Sequence, residues 1–236
     1  MRKLLLYIFI AALSVSTYGQ TKVLVFSKTD GYRHASIEYG VGAVIKLGLA
    51  NDFIVTATED ARWFRDDELS KFKAVVFLNT TENVLNRRQQ KALKKFINQG
   101  GGFVGIHAAA DTEYKWEWYN GLVGAYFESH PEQQSAQIHI KQPSHPVCEG
   151  LPQPWEHFDE WYNYKSVQDG LTVLLEVDEG SYQGGNMGKS HPIAWYREYD
   201  GGRMFYTGLG HTIEAYQDPL FLRHLLGGIQ YVLERD

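Results

Sequence analysis

The sequence predicts an α/β fold with a mainly parallel sheet and additional β-strands in its second half. Between Lys22 and His107, apolar β-rich runs alternate with helical stretches. Such alternation is typical of parallel strands joined by right-handed helical crossovers. After about Gln134, several strand-like runs follow one another before a closing helix. No linker or repeat interrupts the chain, so we expect a single domain over residues 20–236.

The composition is that of a globular protein with room for a full core. The chain has 236 residues, of which 44% are hydrophobic, values normal for one sizeable domain. Its formal net charge of −5 argues against a nucleic-acid partner, because such binders usually carry a basic face. The 6 Trp and 15 Tyr lean slightly toward a sugar ligand, since aromatic rings stack on the apolar faces of sugars, although most aromatic residues are core.

Residues 1–19 have the pattern of an export signal. Arg2 and Lys3 precede the apolar run 4–13, and small residues follow. The run is too short to span a membrane comfortably. A buried first strand is the alternative, but another strand pattern begins at once at Lys22. We expect cleavage near residues 19–20 and a periplasmic or secreted protein with no membrane span and no lipid anchor.

The first strands and helices follow from local periodicity. The predicted elements are a strand at 22–28, a helix at 36–49, a strand at 53–60, a short helix at 66–72 and a strand at 73–81. The strand at 73–81 is nearly all apolar, as expected where both faces of a sheet are covered. Asn86 is the expected cap of an amphipathic helix that ends at Gly100, and a fourth strand, GGFVGIH, follows it.

The second half is read as strands with one final helix. The runs are AQIHIKQ (136–142), DEWYNYK (159–165), LTVLLEV (171–177), PIAWYREY (192–199) and GRMFYTG (202–208). A hairpin turn at 199–202 joins the last two, and a helix from Asp218 to Leu233 has Pro219 at its first position. The glycine-rich stretch 181–190 follows no strand–helix pattern, so we expect a flexible loop and no nucleotide cofactor.

Histidines mark the predicted ends of several strands. The loops after the first and fourth parallel strands lie at the same sheet edge, where ligands bind in such folds. His34 and His107 should therefore converge, and His211 joins them if the strand 202–208 is parallel to the core. His130 and His157 also stand in predicted loops or junctions. A single histidine is usually just a satisfied polar residue, but several buried imidazoles cost free energy unless they have partners.

The residue types favour metal ligation or acid–base chemistry over covalent catalysis. His107 occupies the turn where a nucleophile would stand, and neither the alanines 108–110 nor Cys148 offers an activated one. Imidazoles with carboxylates suit a divalent metal, Zn or similar, or proton transfer near neutral pH. The spacing matches no compact metal motif.

Specific roles can be assigned on this basis. The candidate catalytic residues are His107, His34, Glu160 and Asp111, with Glu160 or Asp111 as the base. The candidate metal ligands are His34, His107 and His211. The candidate substrate-binding residues are Arg33, Trp116, Trp118, His130, His157, Asp159, Trp161 and Tyr162. The other histidines, at 139, 145, 191 and 224, are interpreted as structural or exposed.

The chain resembles the ThuA-like family through an ordered set of motifs. They include DGYRHASIEYG, GGGFVGIHAAADT, GAYFESHP, HPVCEGLP, HFDEWYNY, PIAWYREYDGGRMFYTGLGHT and FLRHLLGGIQYVL, and they run from about Lys22 to Leu233. The resemblance implies a flavodoxin-like topology related to class I glutamine amidotransferases. Those relatives carry a nucleophilic cysteine where His107 stands here, so the resemblance argues against a glutaminase. It also implies a role in trehalose or glycoside catabolism, alongside oxidoreductases that make 3-keto sugars.

Three functions remain open on the sequence. The first is a lyase, hydrolase or isomerase acting on oxidised glycosides, because a 3-keto group acidifies the neighbouring C2 proton and a base can then drive elimination, hydration or isomerisation. The second is a sugar-binding protein without catalysis. The third is an accessory subunit of a sugar oxidoreductase. The number of histidines favours the enzyme, unless these histidines satisfy backbone groups in separate places.

Overall fold

The computed structural model describes residues 20–234. Eleven strands lie in that range: β1 (Thr21–Phe26), β2 (Phe53–Thr58), β3 (Ala74–Leu78), β4 (Gly102–Ile106), β5 (Tyr126–Ser129), β6 (Gln134–Ile140), β7 (Trp155–Asp159), β8 (Asn163–Lys165), β9 (Thr172–Val177), β10 (Pro192–Tyr199) and β11 (Gly202–Thr207). Its five α-helices are α1 (Ile37–Ala50), α2 (Asp66–Leu69), α3 (Arg87–Asn98), α4 (Glu117–Val123) and α5 (Pro219–Leu233). The predicted export signal lies outside the described residues.

Nine of these strands form one sheet, in the order β2-β1-β3-β4-β11-β10-β9-β6-β7. The first five are mutually parallel, and the other four join them in antiparallel pairs. Every residue of β3 and β4 is buried, as expected for central parallel strands covered on both faces. The predicted α/β class, mainly parallel with further strands in the second half, is confirmed.

Helix α3 forms for the local reasons that its sequence indicates. Asn86 accepts hydrogen bonds from the backbone N–H groups of Arg88 and Gln89, and the Gln89 side chain accepts one in return from the Asn86 N–H. This reciprocal capping satisfies donors that a helix start otherwise leaves free. Gly100 follows the helix with φ of 85°, a conformation that favours glycine. The helix therefore delivers the chain directly into β4.

One predicted strand is wrong. The run 159–165 is divided between β7 and β8, and β8 pairs with β5, which was not predicted, in a separate two-stranded sheet. The aromatic run contains no glycine or proline that would reveal the break to a local reading. Residues 160–162 form the turn between the two sheets, and this turn supplies part of the site.

The glycine-rich loop 181–190 is tied to the rest of the fold by hydrogen bonds. Glu179 accepts from the backbone of Met187 and Gly188, and Asn163 bonds to the backbone of Gly184 and Asn186. The loop predicted to be flexible therefore has fixed hydrogen-bond partners in the fold. Among the described residues, no helix is long and apolar enough to cross a membrane.

Candidate functional site

Three histidines and one glutamate meet at the carboxyl edge of the parallel strands. His34 follows β1, His107 follows β4 and His211 follows β11, which runs parallel to β4. The three imidazole rings form a triangle with 5.0 Å between each pair of centroids. Glu160 enters from the turn between β7 and β8. We call His34, His107, Glu160 and His211 the donor cluster.

The backbone at His107 directs its ring into this cluster. His107 is fully buried and has φ of 47°, which is uncommon for a residue other than glycine and is found preferentially at functional sites. The sharp turn takes the chain from β4 into a 3₁₀ helix at His107–Asp111. Ring atom Nδ1 lies 2.8 Å from the Gly208 carbonyl oxygen, so it is assigned as the protonated nitrogen. Nε2 is left with its lone pair toward the cluster.

The donor atoms stand at the spacing of ligands around one small ion. His107 Nε2 lies 3.1 Å from His211 Nδ1 and 3.4 Å from Glu160 Oε2. His211 Nδ1 lies 3.2 Å from Glu160 Oε2. Ligands placed tetrahedrally at about 2.0–2.1 Å from zinc are roughly 3.3–3.4 Å apart. His34 is the more distant fourth member, and the donor atoms of all four residues lie within 4.8 Å of one another.

His34 has a donor atom that the protein leaves unpaired. Its Nδ1 is buried and finds no hydrogen-bond partner within residues 20–234, and such an atom normally costs free energy. Burial, followed by the neighbouring His107 and His211, lowers the pKa of His34 to about 2. The ring is therefore neutral at physiological pH, which is the form of histidine that binds metals.

Glu160 supplies the negative charge of the cluster. Burial opposes its ionisation, but hydrogen bonds with His107 and His211 outweigh that effect and hold the pKa of Glu160 well below its usual range. Its second oxygen, Oε1, lies 3.2 Å from His130 Nδ1. An ionised carboxylate among imidazole nitrogens is a donor set that suits a divalent metal.

A cavity of about 380 Å³ opens onto the donor cluster. Its lining consists of Tyr32, His34, Asp111, Phe127, His130, Gln133, Glu160, Tyr162 and His211. The Tyr162 ring lies 4.1 Å from the His107 ring, and Phe127 lies 4.3 Å from Tyr162, measured between centroids. A larger cleft of about 710 Å³ beside α3 is lined mainly by basic side chains and lacks such a convergence of donor atoms, so we place the site at the donor cluster.

Asp111 is a second acidic group in the same cavity. It accepts a hydrogen bond from the Tyr114 hydroxyl. Burial raises the pKa of Asp111, against the effect of that hydrogen bond. Asp111 is therefore closer than an exposed carboxylate to exchanging a proton near neutral pH. Cys148, by contrast, is buried, and burial raises the pKa of its thiol to about 11, so it is not an activated nucleophile.

Trp116, Trp118 and Arg33 lie outside the cavity, which corrects three of the predicted binding residues. Trp116 stacks on Trp118, and the Trp118 indole N–H donates to Asp200 in the turn between β10 and β11. That turn is at the opposite edge of the sheet, because it precedes a strand parallel to β4. Arg33 is paired at 2.8 Å with both Glu38 and Glu59.

His157, Asp159 and Trp161 are also outside the lining and are buried behind it. His157 lies within β7 and not in a loop, and the alternation of that strand turns its side chain inward. Trp161 donates its indole N–H to the Gln134 carbonyl. Asp159 accepts hydrogen bonds from backbone N–H groups. These three residues lie behind the lining and do not face the cavity.

Three lining residues were not predicted. Gln133 lies 2.9 Å from His211 Nε2, and Phe127 belongs to the unpredicted β5. Tyr32 is 66% exposed and stands edge-on to His34 at the rim. Tyr32 and Phe127 lie within two of the family motifs, DGYRHASIEYG and GAYFESHP, but the motifs do not show that these side chains reach the cavity, because the fold brings them there from distant segments. Of the histidines interpreted as structural or exposed, His191 and His224 are buried with hydrogen-bond partners.

Fold and site together define a flavodoxin-like α/β protein with a histidine–carboxylate cluster at the ligand-binding edge of its sheet. Residues 22–232 match the family described as ThuA, trehalose utilisation, and the chain belongs to that family. A search of curated proteins found no match.

Solved structures share the fold over nearly the whole chain. A ThuA-like protein from Bacteroides uniformis is 23% identical, with 92% of each chain covered and a TM-score of 0.78. One from Parabacteroides merdae is 22% identical, with 91% of this chain and 90% of that chain covered and a TM-score of 0.72. A β-galactosidase from Bacillus circulans is 16% identical and has a TM-score of 0.53, with 90% of this chain but 30% of that chain covered. At these identities the likeness concerns the fold alone.

Proposed function

We propose that this protein is an enzyme that binds a divalent metal, Zn or similar, and acts on an oxidised glycoside or disaccharide. The observation that carries the proposal is the spacing of 3.1–3.4 Å among His107 Nε2, His211 Nδ1 and Glu160 Oε2. His34 is the fourth ligand. When bound at such a site, a divalent metal polarises a carbonyl or activates a water molecule.

The two acidic residues of the cavity have different proposed roles. Glu160 is engaged by three histidines, so its role is that of a ligand. Asp111 stands apart from that cluster, and its carboxylate accepts a hydrogen bond from the Tyr114 hydroxyl. Asp111 is therefore the proton acceptor or donor, and the Tyr114 hydroxyl orients it.

The lining supports a neutral sugar as the substrate. Within the described residues, the cavity contains no lysine or arginine that would pair with a phosphate or carboxylate group. Tyr162 and Phe127 form an aromatic wall against which the apolar face of a sugar can stack. The family's role in trehalose utilisation points to a disaccharide or glycoside.

An oxidised sugar suits these groups better than the parent sugar. A 3-keto group makes the C2 proton acidic, so Asp111 can remove it while the carbonyl oxygen faces the donor cluster. In an elimination, the proton leaves C2 and the glycosidic oxygen leaves C1. Isomerisation starts from the same proton transfer, whereas hydration adds water across the C1–C2 double bond that the elimination forms. A sugar oxidoreductase that supplies the keto sugar would be the partner of this reaction.

A turnover assay tests the proposal. Untagged protein would be stripped with a chelator, reloaded with Zn²⁺ and assayed on 3-keto glucosides, with the parent glucosides alongside. We expect turnover of the keto sugars only, dependent on metal, and lost in His107→Ala. His139→Ala, at a half-exposed histidine outside the cavity, is the matched control and should retain full activity. Full activity of folded His107→Ala would contradict the proposal.

A non-catalytic sugar-binding protein is the second candidate. The aromatic wall of Tyr162 and Phe127 would serve binding equally well. Calorimetric binding of a keto sugar with no conversion of that sugar in the assay would favour this candidate over the enzyme.

The proposed location is the periplasm or the exterior of the cell. The basic start and apolar run of residues 1–13 support it, since they have the form of an export signal. We expect mass spectrometry of the protein from its native cell to detect a chain that has lost about the first twenty residues. An intact Met1 in envelope fractions would contradict the proposed export.

A further inference from the structure

Asp159 gathers three backbone N–H groups around one buried carboxylate. It ends β7 and is fully buried. Its Oδ2 accepts a hydrogen bond from the Gly210 N–H at 2.7 Å. Its Oδ1 accepts from the His211 N–H at 3.1 Å and from the Glu160 N–H at 2.9 Å. One side chain therefore holds the backbone of two members of the donor cluster, from segments about 50 residues apart.

The turn at Gly210 is held from its other side as well. The Gly210 carbonyl accepts hydrogen bonds from Asn79 Nδ2 at 3.2 Å and from the Tyr216 hydroxyl at 3.1 Å. The Ser36 hydroxyl approaches the same oxygen at 3.4 Å. The peptide group between Gly210 and His211 therefore has little freedom to rotate. Its N–H donates to Asp159, and its carbonyl accepts from the donors named above.

A buried histidine lies between Asp159 and a second carboxylate. His157 Nε2 lies 3.5 Å from Asp159 Oδ2, and His157 Nδ1 lies 3.4 Å from Asp218 Oδ2. Asp218 also caps α5 by accepting the Leu220 N–H at 2.8 Å. Burial opposes the charge on His157, but the two carboxylates outweigh it and raise its pKa to about 9. The row Asp218–His157–Asp159 thus connects the start of α5 to the donor cluster.

We infer that Asp159 is a positioning residue for the donor cluster, an inference that rests on the proposed metal function. Its carboxylate sets the distance between His211 Nδ1 and Glu160 Oε2, which is 3.2 Å. An amide could not replace it, because asparagine offers one acceptor oxygen and an NH₂ group that cannot accept the remaining N–H groups. Removing one such support from a metal ligand typically lowers metal affinity about 10–100-fold.

The test compares Asp159→Asn with Glu156→Gln. Glu156 lies on the same strand with an exposed side chain, so this control makes the same carboxylate-to-amide change without touching the cluster. Zn²⁺ affinity would be measured by competition with a chelator, and ligand geometry by the visible absorption spectrum of the Co²⁺ form. We expect Asp159→Asn to bind Zn²⁺ at least about tenfold more weakly and to show a changed Co²⁺ spectrum, while Glu156→Gln matches the wild type.

A folded Asp159→Asn that binds Zn²⁺ like the wild type, with the same Co²⁺ spectrum, would overturn the inference. If Asp159→Asn does not fold because His157 is left as an unpaired buried cation, the double variant His157→Gln/Asp159→Asn removes both charges and should show the same loss of affinity. If the wild type itself binds no metal, the proposed function is contradicted. Hydrogen exchange of the Gly210 and His211 amides in metal-free protein then decides the inference, which requires faster exchange in Asp159→Asn.

Discussion

At the scale of single residues, three members of the donor cluster lie within 3.4 Å of one another: His107, Glu160 and His211. Each of the three also has a second contact outside the cluster. His107 has Nδ1 on the Gly208 carbonyl, and His211 has Nε2 near Gln133. Glu160 directs Oε1 toward His130. Second contacts of this kind fix the ring orientation and tautomer of metal-binding histidines. The cluster is thus arranged before any ligand arrives, as an efficient site requires.

His157 gives a pH dependence of stability that can be measured. Its pKa in the folded protein is raised from 6.5 to about 9. The resulting stabilisation is fully present below pH 6.5 and is lost as the pH rises through about 9. We predict that His157→Gln lowers the free energy of unfolding by on the order of 3 kcal/mol near pH 6, and by progressively less toward pH 9.

Denaturant titrations with EDTA present would measure this effect. His139→Gln, at a half-exposed histidine, should change stability by less than about 0.5 kcal/mol. A difference between wild type and His157→Gln that stays constant from pH 6 to pH 9 would contradict the assigned ion pair.

At the scale of elements, the site depends on two sharp turns at the carboxyl ends of adjacent parallel strands. β4 ends in the turn at His107, and β11 ends in the turn at Gly210. The two strands are paired in parallel register, with Thr207 beside Ile106. Because the register is fixed by the core, the two turns deliver His107 and His211 to neighbouring positions.

The turn at Gly210 should not tolerate a side chain. Gly210 has φ of +104°, and an added Cβ would lie 2.8 Å from the Tyr216 hydroxyl. We predict that Gly210→Ala lowers stability by more than the roughly 1–2 kcal/mol of the backbone conformation alone, and also weakens Zn²⁺ binding. Gly170→Ala is the control, since Gly170 has φ of +76° with open space around it. Equal effects of the two variants in thermal melts would contradict the steric argument.

The elements differ in how far the sequence could predict them. The parallel half was predictable because α3, β3 and β4 carry their periodicity and caps within a few residues. The break between β7 and β8 was not, because it depends on β5, whose pairing partner lies more than thirty residues along the chain. Trp118 was misplaced for the same reason, since its partner Asp200 is distant in sequence. The histidines converge because they follow neighbouring parallel strands at the carboxyl edge of the sheet, which the sequence could predict. The rest of the cavity lining depends on long-range contacts, which it could not.

At the scale of the whole molecule, the donor cluster joins segments from the first and last parts of the chain. His34 follows the first strand and His211 follows the last. A ligand that binds all four side chains would therefore connect β1, β4 and β11 across the centre of the sheet. Binding to the native state alone stabilises the entire fold by mass action.

Zinc should therefore raise the thermal unfolding midpoint. At a free Zn²⁺ concentration of 100 times Kd, the stabilisation is about 2.7 kcal/mol, which corresponds to roughly 5–10 °C for a chain of this size. Mg²⁺ should have little effect, because it prefers oxygen ligands. Differential scanning calorimetry of wild type and His107→Ala would measure the shift. A similar rise in both proteins would show that zinc acts elsewhere.

The most direct measurement is a crystal structure of the untagged protein with Zn²⁺, with anomalous diffraction recorded at the zinc absorption edge. The account predicts one strong anomalous peak at the carboxyl edge of the sheet, about 2.0–2.2 Å from donor atoms of His107, His211 and Glu160, with His34 as the fourth ligand. A peak at other residues, or none at the donor cluster in fully loaded crystals, would contradict it.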